Sequence, residues 1–368
     1  MGHLVCFFPA PTLTRCQQGV PVKSLCLVTG ANGHLGNTLL RALLDQGYRV
    51  RAGVRDIRNH TPFVGLDCEL VYAELLDSAA LDKALEGVQV LFQVAAVFKH
   101  WARNPEAEIV EPNIQGTRRV LQAASRAGVQ RVVYVSSVAA VGHDGTALDE
   151  AHWNTESENA YYKSKILSEQ AAWQCAETLG VDMVSVLPSA MVGPNAGHLT
   201  DTMGFLQSVR QRQMPFDPGF RFNFVDVRDV AEGMILTAEK GRPGQRYILA
   251  NERSSPLSDL IEAANTQAPG YRQPVSAPRW LLMGVAWLQE RWAQRVGKPA
   301  QLLLSQVRLF HNVAQEYDIT KAKNELGFNP RPPEVALRQA FAYLYRQAHQ
   351  PYEDLRQGEV QTSSSSRF

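Results

Sequence analysis

The stretch from Leu25 to Gly36, LCLVTGANGHLG, constrains this chain more than any other. A short apolar, β-branched run enters three glycines spaced three apart (Gly30, Gly33, Gly36) and leaves at once into a helical pattern, Leu35 to Gln46. That order fits a strand, a tight turn and a helix lying close on the strand: the first glycine turns the chain, the second lets a phosphate approach the backbone, the third lets helix and strand touch. The helix start then aims N–H groups and a positive dipole end over the turn, as a pyrophosphate requires. Gly30, Asn32, Gly33, His34, Leu35 and Gly36 are the candidate dinucleotide contacts, with the His34 side chain read as a solvent-facing filler.

Further apolar runs, Arg49 to Val54, Cys68 to Ala73, Val88 to Ala95, Arg131 to Ser136 and Met183 to Leu187, alternate with helical stretches such as Asn113 to Ala127, which Gly128 closes. The pattern predicts an α/β Rossmann fold, a doubly wound parallel sheet of at least six strands. After Gly193 and Pro194 the rhythm breaks into a smaller mixed α/β lobe that returns to the sheet, with strands at Arg221 to Asp226 and Arg246 to Leu249 and closing helices at Gln301 to Phe328 and Glu334 to Gln347. The expected organisation is an N-terminal extension over 1–22, a dinucleotide-binding domain over 23–193, a mainly substrate-binding lobe over 194–350 and a disordered tail over 351–368 that carries SSSS.

Composition narrows the function. Lys plus Arg number 37 against 36 Asp plus Glu, which leaves no positive excess for a nucleic-acid backbone. Five scattered cysteines without a CxxC pair argue against a disulfide framework or a metal site. The longest apolar stretch past the extension, Trp280 to Leu288, is nine residues, against about 20 for a membrane span. A cytoplasmic protein acting on a small molecule is the expectation.

At the end of the second strand stand Gly53, Val54, Arg55 and Asp56. A guanidinium at Arg55 would pair with a 2′-phosphate, so NADP(H) is preferred; Asp56, one residue on, would accept from a ribose hydroxyl and keeps NAD(H) open.

YxxxK occurs twice, at Tyr161 to Lys165 and Tyr317 to Lys321. Eleven tyrosines and nine lysines make about 0.3 such pairs by chance, so position must choose. Tyr161 opens a helix after the fifth strand, where a residue and its neighbour four on share a face beside the nicotinamide end. Tyr317 precedes a helix that Thr320 would cap, and is read as structural. Ser136 and Ser137 end the fifth strand and point opposite ways, and Ser137 is the candidate for polarising a substrate oxygen. Ser137, Tyr161 and Lys165 together suit hydride transfer to a carbonyl: the two hydroxyls hold the oxygen, Tyr161 delivers the proton, and Lys165 keeps the phenol acidic and binds the ribose. Pro188, closing the sixth strand, would hold the carboxamide.

Taken together, TGANGHLG, Ser137, Tyr161 to Lys165, LPSAMVGP (187–194), NIQGT (113–117), FVDVRDVA (224–231) and DITKAKNELGFNPR (318–331) resemble the extended short-chain dehydrogenase/reductase (NAD-dependent epimerase/dehydratase) superfamily. VRAGVRD (50–56) is similar to the NADP-binding strand of dihydroflavonol reductases. The resemblance implies that Glu74 and Leu75 lie by the adenine, that Ala95 and Ala96 line the cofactor groove, that Asn113 is structural, and that helices flanking the fourth and fifth strands form a homodimer. The chain departs from the pattern at Gln93, where histidine is frequent. It also has Val141 before Gly142, and Leu187, Pro188, Ser189 and Ala190 at strand six, which weakens a nucleotide-sugar epimerase or dehydratase reading and leaves 3β-hydroxysteroid dehydrogenases and hopanoid-associated sugar epimerase-like reductases open.

Loops after strands four to six contribute Phe98, Trp101, His143, Trp153, Met191, Phe205 and Phe216, a bias towards an apolar substrate. The expectation is an NADPH-dependent reductase of a medium-sized apolar aldehyde or ketone, with a steroid dehydrogenase, a sugar epimerase or dehydratase, and a dinucleotide-sensing binding protein as alternatives. Trp280 to Trp292 reads as a helix buried in the small lobe, since Glu290, Arg291 and Arg295 do not make a strongly basic face; a lid or a membrane-surface helix is the alternative.

Overall fold

Every position from Leu25 to Val28 is apolar, so this strand has no polar face to offer water and belongs inside a sheet covered on both sides. The computed structural model, which describes residues 24–98, 101–195, 199–297, 300 and 302–349, places it there. The expected N-terminal extension and C-terminal tail lie outside the described residues. The first strands are β1 (Leu25–Thr29), β2 (Arg49–Val54), β3 (Glu69–Tyr72), β4 (Val90–Gln93) and β5 (Arg131–Val135). There follow β6 (Ala147–Leu148), β7 (Met183–Pro188), β8 (Ala190–Val192), β9 (Arg221–Phe222), β10 (Phe224–Asp226), β11 (Arg246–Leu249), β12 (Ser255–Pro256) and β13 (Glu316–Tyr317). Seven of these make one parallel sheet in the order β11-β7-β5-β4-β1-β2-β3. Strand order reverses between β1 and β4, and their carboxyl ends flank the crevice where such sheets bind ligands.

Helices α1 (His34–Asp45), α2 (Ser78–Ala84), α3 (Glu111–Arg126), α4 (Ala160–Leu179), α5 (Asp201–Arg210) and α6 (Val227–Lys240) come from the segments between strands. Alternation sorts their partners. Cys26 and Val28 of β1 pack with Leu39 and Leu43 of α1 and Val230 and Met234 of α6 on one face. Leu27 packs with Leu81 of α2, Val120 and Leu121 of α3, and Ala172 and Ala176 of α4 on the other. The second lobe adds α7 (Leu257–Asn265), α8 (Arg279–Val296), α9 (Leu304–Phe310) and α10 (Pro333–His349). Its core joins α5, α7 and α10 through Leu206, Leu260, Ile261, Leu337 and Phe341.

The doubly wound α/β fold is as the sequence predicts; four expectations in the second lobe are not. Gln301 to Phe328 does not form one helix. Asn312, at φ +58°, stops α9; the chain then pairs β13 with β6, because bonding to distant segments outweighs local helix propensity. Asp318 rather than Thr320 starts the short helical turn that follows, accepting the Thr320 N–H at 2.8 Å. Arg221 to Asp226 breaks into β9 and β10 at buried Asn223, whose side chain accepts the Asn251 N–H and donates to the Asn251 carbonyl. Helix α8 is not buried: Trp280, Trp287, Leu288 and Trp292 are all exposed, and its buried residues are Leu282, Ala286 and Ala293.

Candidate active site

The turn after β1 is held shut from two sides. Gly30 takes φ +64°, and a Cβ on it would lie 3.1 Å from Ala95 Cα, while a Cβ on Gly36 would run into the Gly30 carbonyl. The Thr29 hydroxyl accepts the N–H groups of Val94 and Ala95, each at 3.0 Å, and donates to Gln93 Oε1 at 2.9 Å. Gln93, the departure from the resembled pattern, thereby locks the end of β4 to the turn. The first helical bond of α1 runs from the Asn37 N–H to the Gly33 carbonyl. The N–H groups of Leu35 and Gly36 precede it and have no helical carbonyl to donate to. These residues fit a dinucleotide pyrophosphate: a close-approach turn and a helix start of unbranched access. His34 is not a solvent-facing filler. The residue is 4% exposed and Nε2 donates to the Pro194 carbonyl at 2.8 Å, so it ties this helix start to the segment after β8.

Arg55 is the first residue past β2 and is exposed. Asp56 is engaged by Arg58, whose backbone N–H and Nε both reach Oδ1 at 3.0 Å and hold its carboxyl below the usual range. After β3, Glu74 and Leu75 are partly buried, and Leu75 packs on Gly116 of α3. Ala95 lies against Gly30 and Ala96 is exposed. Asn113 accepts the Val97 N–H at 2.7 Å and donates to the Val97 carbonyl and to Ser164 Oγ, which fixes the loop after β4 on α4. Pro188 pairs with Leu249 at the end of β7.

Asn159 caps α4 by accepting the N–H groups of Tyr161 and Tyr162, so the helix begins with Tyr161 in its first turn. Tyr161, Lys165 and Glu169 follow at intervals of four on one face. The Tyr161 hydroxyl donates to Ser137 Oγ at 3.3 Å, whereas Ser136, turned the other way, donates to Glu169 Oε2 at 2.6 Å. Burial pushes the Tyr161 phenol up to about 12; the Ser137 hydrogen bond opposes this and the Asp201 carboxylate adds to it. Burial also pulls the Lys165 ammonium down to about 8, against the pull of Glu169. Within the protein itself, burial and the Asp201 carboxylate thus hold the phenol above its ordinary value, and the Ser137 hydrogen bond alone pulls it down. A protonated phenol at neutral pH is the form that donates. At the second YxxxK, Tyr317 lies on β13 and not on a helix, and the Lys321 ammonium sits 4.9 Å from the Tyr247 ring centre instead.

Beside Tyr161 stands an aromatic wall. Phe98 meets the Tyr161 ring edge-on at 5.1 Å, and Tyr162, Phe220 and Phe222 surround Phe310 at 5.2–6.0 Å. His143 stacks on Phe310 and Phe205 meets Phe222. Trp153 is drawn away to cover the Arg246 guanidinium at 3.9 Å, Trp101 and Met191 are partly buried, and Phe216 is exposed.

Residues 26–250 match the NAD dependent epimerase/dehydratase family. The chain is 36% identical over 326 residues to a putative dihydroflavonol 4-reductase of Synechocystis, covering 86% of this chain and 92% of that protein. It is 33% identical to sterol demethylase protein B of Methylococcus capsulatus, covering 86% and 97% respectively. Among solved structures it resembles that of gox2253, at 31% identity and a TM-score of 0.76 over 90% of this chain and 100% of that one. The chain belongs to the NAD-dependent epimerase/dehydratase family. It is an NAD(P)-dependent oxidoreductase of the extended short-chain kind.

For an oxidoreductase of this family, sequence reasoning missed Glu169 and half of the aromatic wall. Glu169 is fully buried and binds Ser136, Ser185 at 3.0 Å and the Arg246 guanidinium at 2.9 and 3.1 Å. Its spacing of four from Lys165 was a signal for the shared face; its partner on β11 was not. Phe220, Phe222 and Phe224 alternate along the chain, a period-two pattern that puts them on one side of an extended segment. Phe310 carried no such signal, since α9 reaches the wall only in three dimensions.

Proposed function

We propose that the chain is an NADPH-dependent reductase of a medium-sized apolar aldehyde or ketone. The observation that carries the reading is the hydroxyl pair of Ser137 and Tyr161, 3.3 Å apart, set against the aromatic wall. Bound NADPH supplies the hydride. Ser137 and Tyr161 hold the carbonyl oxygen, and Tyr161 transfers its proton to that oxygen as the alcohol forms. Lys165, one turn on, orients the nicotinamide ribose and replenishes the Tyr161 proton. Arg55 pairs with the 2′-phosphate, its neighbour Asp56 being taken up by Arg58. The chain up to Gly193 holds the dinucleotide, with Glu74, Leu75, Ala95 and Ala96 along its groove and Pro188 at the carboxamide, and later segments supply most of the substrate contacts. The 33% identical relative with a sterol name keeps a second reading in view, in which the same wall receives a sterol alcohol or ketone.

Parallel titrations with NADPH and NADH, followed by reduced-nicotinamide fluorescence, test the cofactor. NADPH tighter by about tenfold, or ~1.4 kcal/mol, supports Arg55 as the phosphate anchor. Equal binding overturns that role. Oxidation of NADPH by apolar aldehydes and ketones, and its loss in Tyr161→Phe, tests the reaction.

A further inference from the structure

Helix α8 carries its largest side chains on the side away from the protein. Inward, Leu282 and Ala286 pack with Val307 of α9 in a small core of their own. Outward, Trp280 is 75%, Leu288 62% and Trp292 58% exposed. At helical spacing Trp280, Trp287, Leu288, Arg291 and Arg295 fall within one sector of about 100°. Each indole is a large apolar surface, so a face of this kind needs cover.

Charge identifies the cover. Residues 272–297 hold four arginines (Arg272, Arg279, Arg291, Arg295), all exposed, against a single acid, Glu290. Glu290 is turned inward, where it accepts the Leu304 N–H at 2.7 Å, so the exposed residues of this helix include indoles, Leu288 and guanidinium groups and no carboxylate. The Arg291 guanidinium lies 5.2 Å from the Trp287 ring centre, which offers cation and ring as one unit. Just ahead of the helix Val275 is 78% exposed. A single convex helix mixing tryptophan with arginine matches the headgroup level of a bilayer, where indoles sit at the interface and guanidinium groups meet lipid phosphates. Among the described residues no helix is long and apolar enough to cross a membrane, so the contact is peripheral.

We propose that the outer face of α8 docks this protein on an anionic lipid bilayer. Helix α9 joins that face to the candidate site: Ser305 accepts from Asn159, the cap of α4, at 3.1 Å, and Phe310 stands in the aromatic wall.

Flotation of the full chain with phosphatidylcholine vesicles, with and without phosphatidylglycerol, tests the proposal. The protein floats with the anionic vesicles, less with phosphatidylcholine alone, and less at high salt. Arg291→Gln and Arg295→Gln each weaken binding about fivefold. The triple variant Trp280→Ser, Trp287→Ser, Trp292→Ser stays in the lower fractions while its thermal melt and its dinucleotide titration remain those of the parent. Absence of flotation with anionic vesicles, equal binding to phosphatidylcholine alone, or undiminished binding by the triple variant overturns the proposal. So does a lipid-free dimer in sedimentation that the triple variant dissolves, since the face then belongs to a second copy.

Discussion

Helices α4 and α8 are of similar length, 20 and 18 residues, and both invert the usual rule of apolar inside and polar outside. Helix α4 buries Ser164, Lys165, Ser168 and Glu169, each bonded within the protein or aligned on the crevice; α8 leaves three tryptophans in the open. A polar group survives burial only where partners replace water, and an apolar group survives exposure only at the cost of solvation. The first inversion therefore marks a site assembled from within, and the second a surface completed from outside.

The contrast can be broken most forcefully at Tyr161. Tyr161→Phe lowers kcat by about 10²- to 10⁴-fold and leaves NADPH affinity unchanged; a fluorescence titration beside steady-state rates separates the two, and retained turnover removes α4 from the chemistry. Next comes Glu169→Ala, which strands the Arg246 guanidinium in the core and costs about 3–5 kcal/mol in denaturant unfolding. A loss below about 1 kcal/mol would show that the inner network is not what holds α4. Arg55→Ser weakens NADPH binding by about 10- to 100-fold with NADH unaffected. Lys165 sharpens the comparison through pH. Its ammonium titrates near 8 in the folded chain, so kcat/KM falls on an alkaline limb about there and Lys165→Arg moves the limb out of range. From that value up to the ordinary lysine range the unfolded chain keeps a proton that the folded one has lost, so this group's contribution to stability rises with pH across the window. The smallest effect belongs to α8: Trp280→Ser changes unfolding free energy by less than about 0.5 kcal/mol, and a larger loss would make Trp280 a packing residue.

Much of the crevice was legible in order along the chain. The glycine turn, the ends of β2 and β5 and the start of α4 are local patterns whose physical demands (positive φ, alternation, a cap, a spacing of four) are written within a few residues of one another. His34 was misread because its acceptor, the Pro194 carbonyl, is remote in sequence. Glu169, Arg246 and Phe310 were hidden for the same reason. Gln301 to Phe328 shows the converse: its helical period is real, but bonds to the Phe220 and Ala147 regions outweigh it. For α8 the apolar residues were plain, and only the distribution of neighbours could tell that no described residue covers their face.

The placement of β11 bears on how the chain acquires its shape during synthesis. Residues up to Pro188 complete six of the seven strands of the main sheet, yet the edge of β7 and the carboxylate of Glu169 both wait for Arg246 to Leu249. Until that segment leaves the ribosome, a row of unpaired backbone groups is open to other chains and a negative charge lacks its cation. A truncation ahead of Arg246 thus yields an aggregation-prone fragment rather than a small nucleotide-binding domain, and the slowest stage of folding is the return of a distant strand to an edge already laid down.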